Sequence, residues 1–304
     1  MPDISTLPLY GIPYLLLIVS AILLMCDQRN LSILAFVVSL VTAVVSGIVN
    51  TVGLLTLGTF LLLSLWHFSL RNQKTVIRFP GAMVISGVLV VISAVVFFSH
   101  NAPGFLDTKV IDGVIMSPGA IPFTMYLNFD EVAIALILAL CGGLFLPQNG
   151  QAILCKFASQ KNLWKWVFLM WIACSGVLMA AGWMVGYIAF DPKIIPYFWI
   201  WAINNLLFVA FAEEILFRGM IQGSLSKAFA HFGWSPYIAL VISAMLFGVS
   251  HIDGGWTYVA LATVAGLFYG MAYLRTGLLI AAILVHFLLN LTHALLFSYP
   301  GLSG

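Results

Sequence analysis

The chain has 304 residues, 62% of them hydrophobic and 7% charged, with a net charge of +2 and a mean hydropathy of +1.11. Soluble domains carry about 25% charged residues, so this composition excludes a soluble globular protein and defines a polytopic membrane protein. The small net charge, with no basic run and no Gly-rich phosphate loop, gives no nucleic-acid or acidic partner.

Spans of about 20 apolar residues, separated by charge, Gly and Pro, divide the chain into about ten. They fall near residues 8–26, 31–48, 52–70, 81–99, 131–147, 163–190, 197–222, 236–252, 256–274 and 277–298. The first is preceded by Asp3 and by no Lys or Arg, and no small-residue cleavage pattern follows it, so it reads as a retained span rather than a signal peptide. If the loop with Arg71, Lys74 and Arg78 is cytoplasmic, alternation puts Arg29, Lys156, Lys161, Lys165, Lys227 and Arg275 on that side too. Lys109 and Lys193 fall on the other. The bias persists through every span, so the expected fold is an all-α polytopic transmembrane helix bundle with both termini outside.

The longest external connection, about His100 to Asp130, carries Pro103, Gly104, Pro118, Gly119 and Pro122. It is the expected domain boundary, leaving residues 1–130 as a four-span region of unassigned role and 131–304 as the functional domain. His67, near the cytoplasmic end of the third span, reads as a wet interfacial residue. Asp130 and Glu131 read as acids opening a helix, favoured there by capping and by the helix dipole. Cys26, Cys141, Cys155 and Cys174 have no C-x-x-C spacing and read as packing residues. Small-xxx-small pairs at Gly182/Gly186, Gly219/Gly223 and Gly266/Gly270 would let helices of the second half approach closely.

The costliest stretch is Leu207 to Gly223, which sets Glu213, Glu214 and Arg218 in an apolar span. An ionisable group at membrane depth costs roughly 2.5 to 3.5 kcal/mol on insertion scales and marks a functional site by default. Residues four apart share a helix face, so Glu214 and Arg218 can pair, whereas Glu213 points elsewhere with apolar Phe217 as its own neighbour. Glu213 is therefore the carboxylate left for a reactant. Two later spans supply partners: His251 ends the eighth, and His286 and Asn290 lie four apart in the tenth, with His293 three further on. A carboxylate, two imidazoles and an amide suffice to hydrolyse an amide. Glu213 and His251 can activate water, and His286 and Asn290 can donate to the oxyanion. Counted at ~1.5 Å per residue from the cytoplasmic ends, Glu213 and His286 lie roughly 13 Å deep and His251 about 22 Å, a mismatch that needs a tilted or interfacial eighth helix. The shallower pair suggests a cavity open to the cytoplasm.

At these residues the chain resembles the type II CAAX prenyl endopeptidase and bacteriocin-processing family, the Abi or CPBP family of intramembrane proteases. The family pattern E-E-x-x-x-R, F-x-x-x-H and H-x-x-x-N stands here as Glu213-Glu214-x-x-x-Arg218, Phe247-x-x-x-His251 and His286-x-x-x-Asn290. The resemblance covers about Glu131 to Ser298, so the catalytic half is the C-terminal six spans. It implies an intramembrane endopeptidase acting on a membrane-associated peptide or protein in the lipid bilayer of a prokaryotic cell (inner) membrane. Glu213 and His251 would be the water-activating pair, His286 and Asn290 the oxyanion hole, and Glu214, Arg218 and Phe247 supporting residues. The expected mechanism is glutamate-dependent with no cofactor; the competing metal-dependent description would hold zinc on Glu213, His251 and His286. His293 lies outside the motif and is either a packing residue or an addition to such a zinc site. The alternatives to an enzyme are a non-catalytic scaffold or bacteriocin-immunity factor, and a transporter, for which no internal repeat with matching interrupted segments is present.

Overall fold

The structure, a computed structural model, describes residues 7–70, 80–99, 101–145, 161–229 and 233–303. Among the described residues, ten helices follow the expected spans: α1 (Leu7–Met25), α2 (Arg29–Val45), α3 (Thr51–Ser69), α4 (Pro80–Phe98), α5 (Phe129–Gly142), α6 (Lys161–Met184), α7 (Phe198–Ala228), α8 (Ser235–Val249), α9 (Gly255–Thr276) and α10 (Leu279–Leu296). Six are long and apolar enough to cross a membrane, namely α3, α4, α6, α7, α9 and α10, and the chain is a multi-pass integral membrane protein. The shorter α1, α2 and α8 are apolar as well.

Two features depart from expectation. The fifth span is a helix of 14 residues, about 21 Å long at 1.5 Å per residue against a hydrocarbon core of about 30 Å. Gly143, at φ 61°, ends it in the left-handed conformation that glycine adopts without a steric penalty. The external connection, in turn, is not all loop. It contains a hairpin of β1 (Thr108–Val114) and β2 (Phe123–Leu127), whose β-branched and aromatic residues suit a pleated surface. Of the Gly and Pro punctuation that marked a boundary in the sequence, Pro118, Gly119 and Pro122 lie between these strands, and Pro103 and Gly104 precede β1.

The chain forms two compact units, residues 1–108 with 127–156, and residues 109–126 with 157–304. This division differs from a cut at 130/131, because α5 packs with the N-terminal helices and the hairpin with the C-terminal ones. In the first unit α1, α3 and α4 pack on α5, where every residue from Phe129 to Ala139 is buried. A helix apolar on all sides is satisfied by such central placement. Asp130 at its start is buried and accepts the Glu131 N–H at 2.9 Å, so it serves a first-turn amide as expected, but away from water. His67 is not a wet residue: it is 1% exposed and its Nδ1 lies 3.0 Å from Ser86 Oγ. Gly87 makes the room, since a Cβ there would stand 3.2 Å from the imidazole.

In the second unit α8 and α9 form a tightly packed pair, and α6, α9 and α10 pack together. Of the small-residue pairs, Gly266/Gly270 is a true contact face: added Cβ atoms would meet Ala244 Cα at 3.1 Å and Gln222 Oε1 at 2.7 Å. Gly182, in α6, instead faces Ile188 of the loop that follows the helix, and Gly186 is a turn residue at φ +72°. The closest approach was not in the pattern at all. A Cβ at Gly248 would fall 1.8 Å from Thr263 Oγ1 and 2.8 Å from Val259 O, so Gly248→Ala is expected to force α8 from α9 and cost about 1–3 kcal/mol. A lowered thermal midpoint in detergent checks this, with Gly58→Ala, which meets nothing within 4 Å, as the silent control.

The hairpin caps one end of this unit. Ile111, Met116 and Met125 pack with Ile195, Trp201 and Ala294, and Ser117 Oγ accepts from Tyr299 N at 2.9 Å. Cys26 and Cys141 are half-buried, Cys174 is buried, and none of the three is in a disulfide. Cys155, Arg71, Lys74, Arg78 and Lys156 lie outside the described residues.

Candidate active site

The second unit holds the motif residues, and α7 presents the first of them in an irregular helix. Two π-helical stretches, Asn205–Ala210 and Ile215–Gln222, flank a single α-helical turn, Phe211–Glu214. Such turns are rare and recur at functional sites, because the widened ladder re-aims side chains and loosens carbonyls from their usual donors. Phe217 O accepts Ser243 Oγ at 2.7 Å, which ties α8 to α7 at the site.

The division of roles among the three charges takes the expected form. Glu214 and Arg218 are both fully buried and paired, with Arg218 Nε 3.0 Å from Glu214 Oε2 and Nη1 donating to Oε1 at 3.2 Å. Arg218 Nη2 donates to Gly266 O at 2.9 Å, and its guanidinium lies over Phe247 at 4.7 Å and Tyr269 at 5.3 Å. Arginine suits this position because its planar fork bonds in several directions while its faces rest on aromatic rings. Glu213 stands apart: its side chain keeps 17% of its surface, and its buried Oε2 has no hydrogen-bond partner.

The imidazoles are held by their Nδ1 atoms. His286 Nδ1 is 2.9 Å from Glu214 Oε1, its ring stacks on Tyr269 at 4.5 Å and 13°, and its Nε2 faces Glu213 Oε2 at 3.9 Å. An ion-paired carboxylate only accepts, so Nδ1 carries a proton and points the other nitrogen at Glu213. His251 Nδ1 donates to Phe247 O at 2.7 Å, which likewise frees its Nε2. Phe247 links the two, with its ring 4.6 Å from the His251 ring and 5.8 Å from the His286 ring. That shared contact, one helical turn before His251, is how a residue at the end of the short α8 reaches a site in the middle of α7.

Glu213, Glu214, Arg218, Phe247 and His286 thus form one cluster, with His251 attached through Phe247. Asn290 is one turn beyond His286 and bonds elsewhere, its Nδ2 donating to Asn205 Oδ1 at 3.2 Å. No hydrogen bond joins His251 or Asn290 to Glu213 among the described residues. His293 is engaged in structure: its Nε2 donates to Ser298 O at 3.1 Å and its ring meets Tyr299 edge-on at 5.2 Å. Sequence reasoning missed Asn205, Tyr269 and Tyr258, the last of which stands 5.4 Å from the His251 ring. The Asn204-Asn205 pair was legible as polar residues inside an apolar span; nothing marked the two tyrosines.

A tetrahedral zinc site needs three protein donors at about 2 Å from one point. Among the described residues no three His, Cys, Asp or Glu side chains are so grouped; Glu213 and His286 face each other, and His251 does not complete the set. The donor arrangement does not fit zinc, and no chemical step below runs through a metal.

The site thus sets Glu213 Oε2, buried without a hydrogen bond, 3.9 Å from the oriented imidazole of His286 inside a membrane-embedded bundle. Residues 195–292 match the family model described as type II CAAX prenyl endopeptidase Rce1-like. The match encloses all three motifs, bears out the resemblance read from them, and supports an intramembrane protease of the CAAX type. No curated protein and no solved structure matches the chain.

Proposed function

We propose that the protein is an intramembrane endopeptidase that hydrolyses a peptide bond of a membrane-associated peptide or protein, in a prokaryotic cell membrane. The observation that carries this reading is the contrast between the two carboxylates: Glu214 has the Arg218 guanidinium at 3.0 Å, whereas Glu213 Oε2 is buried without a hydrogen bond and its ion partner, His286 Nε2, stands off at 3.9 Å. That distance leaves the Glu213 carboxylate available to a reactant. Glu213 and His251 hold a water and Glu213 takes its proton as the oxygen attacks the peptide carbonyl. His286 Nε2 and Asn290 Nδ2 donate to the resulting oxyanion. When the C–N bond breaks, the proton on Glu213 passes to the leaving amine. With Nδ1 committed to Glu214, His286 meets the reactant through Nε2, the nitrogen that faces Glu213. Residues 131–304 would be the catalytic domain in sequence terms, and all the motif residues lie in the second unit.

The test compares new protein N-termini in membranes of cells expressing wild type or Glu213→Gln at matched levels. Cleavage sites present with wild type and absent with the variant are expected, and they name the substrate. Cleavage by Glu213→Gln at the wild-type rate would sink the assignment, and identical N-termini in the two membranes would favour a scaffold. Loss of turnover on chelation would restore the zinc description.

A further inference from the structure

The site has a sealed flank and an open one. Following α7 past Glu213, every residue from Glu214 to Gln222 is buried. This flank is stitched shut: Arg218 donates to Gly266 O, Gln222 Nε2 to Gly270 O at 3.1 Å, and Ser243 Oγ to Phe217 O. On the other flank burial is interrupted, because Ala202, Leu206, Val209 and Glu213 are half-buried. They make the length of α7 that leads to the Glu213 carboxylate, through the first π-helical stretch, less completely covered than the length beyond it. Asn205, Asn290, His251 and Tyr258 supply polar groups toward the same end, and polar side chains at membrane depth accompany water-filled paths.

The open end is where α7 starts, α8 stops, α9 starts and α10 stops. The α6–α7 loop joins it through Asp191 N to Leu296 O at 2.9 Å, and the hairpin through Ser117 and Tyr299. In this unit the open end carries Lys109 and Lys193, each ion-paired to an aspartate, Asp112 and Asp191, at 3.0 Å. The sealed end carries Lys161, Lys165, Lys227 and Arg275 with no Asp or Glu. Lys and Arg accumulate on the cytoplasmic side of membrane proteins, and acids count for little in that bias. The sealed end is therefore cytoplasmic. A cavity open to the cytoplasm, suggested by residue depth along each helix, ignored which side of Glu213 is filled.

We infer that the site opens on the non-cytoplasmic face. Resting on the endopeptidase reading, this makes the substrate a membrane-anchored segment whose scissile bond has already crossed to the outer side, not a cytoplasmic tail. Water for hydrolysis enters along the Ala202–Val209 length of α7.

Single cysteines placed at Val209, Ala202, Asp253 and Lys227 in the full chain test this with a membrane-impermeant maleimide and peptide-resolved detection. In sealed right-side-out vesicles Val209→Cys, Ala202→Cys and Asp253→Cys are expected to react several-fold faster than in inside-out vesicles, and Lys227→Cys several-fold slower. Reaction of both Val209→Cys and Ala202→Cys only from the Lys227 side, or of neither from either side, would overturn the inference, as would cytoplasmic labelling of Asp253→Cys. Labelling needs no turnover, so failure of the peptidase reading would appear in the N-terminal comparison and leave this result standing.

Discussion

Arg218→Met is expected to destabilise the protein by about 3–5 kcal/mol, the usual consequence of removing one partner from a buried ion pair. Both members are fully buried, with 0% side-chain exposure, so Glu214 would lose its guanidinium and keep the His286 Nδ1 contact alone among the partners described above. Gly266 O would also lose its donor. Adding Glu214→Gln to Arg218→Met should recover most of the loss, because a neutral amide remains to accept from His286 Nδ1 and no naked charge is left. The measurement is the unfolding free energy in detergent for wild type, the single variant and the double variant. A double variant as unstable as the single one would mean that the guanidinium stabilises by packing between Phe247 and Tyr269 rather than by its charge.

Asn290→Ala is expected to lower kcat by about 10²- to 10³-fold with little change in KM, the effect of removing one oxyanion donor. The Asn205 contact sharpens this prediction. An Asn amide presents donors on one side and an acceptor on the other, and Asn205 Oδ1 accepts one Nδ2 proton of Asn290, which fixes the amide and leaves the second proton for the proposed oxyanion. Asn205→Asp preserves that acceptor and should retain turnover, whereas Asn205→Leu lets the Asn290 amide rotate and should lose a large part of kcat. Single-turnover kinetics on a substrate found by the N-terminal comparison would decide. Equal loss in Asn205→Asp and Asn205→Leu would make Asn205 a packing residue and nothing more.

The site was largely legible because charge in an apolar chain is conspicuous. Glu213, Glu214 and Arg218 announced themselves by their cost, and the i, i+4 rule alone separated the paired carboxylate from the free one. The π-helical turns on either side of them were not legible. A π turn differs from an α turn by one residue in the ladder, and no side-chain pattern signals it; it is set by what packs outside, here Ser243 on Phe217 O. Tyr269 was hidden for a related reason. An aromatic residue in an apolar span looks like packing until a ring from another helix is found stacked on it. His67 misled in the opposite direction, since a polar residue near a helix end looks solvated unless a neighbour such as Gly87 admits its ring into a helix contact.

The amino-acid sequence by itself determined that this is a membrane bundle of about ten helices, where those helices lie, and which polar residues mark the candidate site, because hydropathy and charge at membrane depth are local properties with large energies. Tertiary structure decided that α5 is a buried core helix rather than a simple span, that a hairpin caps the second unit, and that Gly248 rather than the recurring glycine pairs sets the closest helix approach. It also decided how His251 meets the cluster, through Phe247, and which flank of Glu213 is sealed. These depend on the direction in which side chains from several helices converge, and that is fixed by packing between segments distant in sequence.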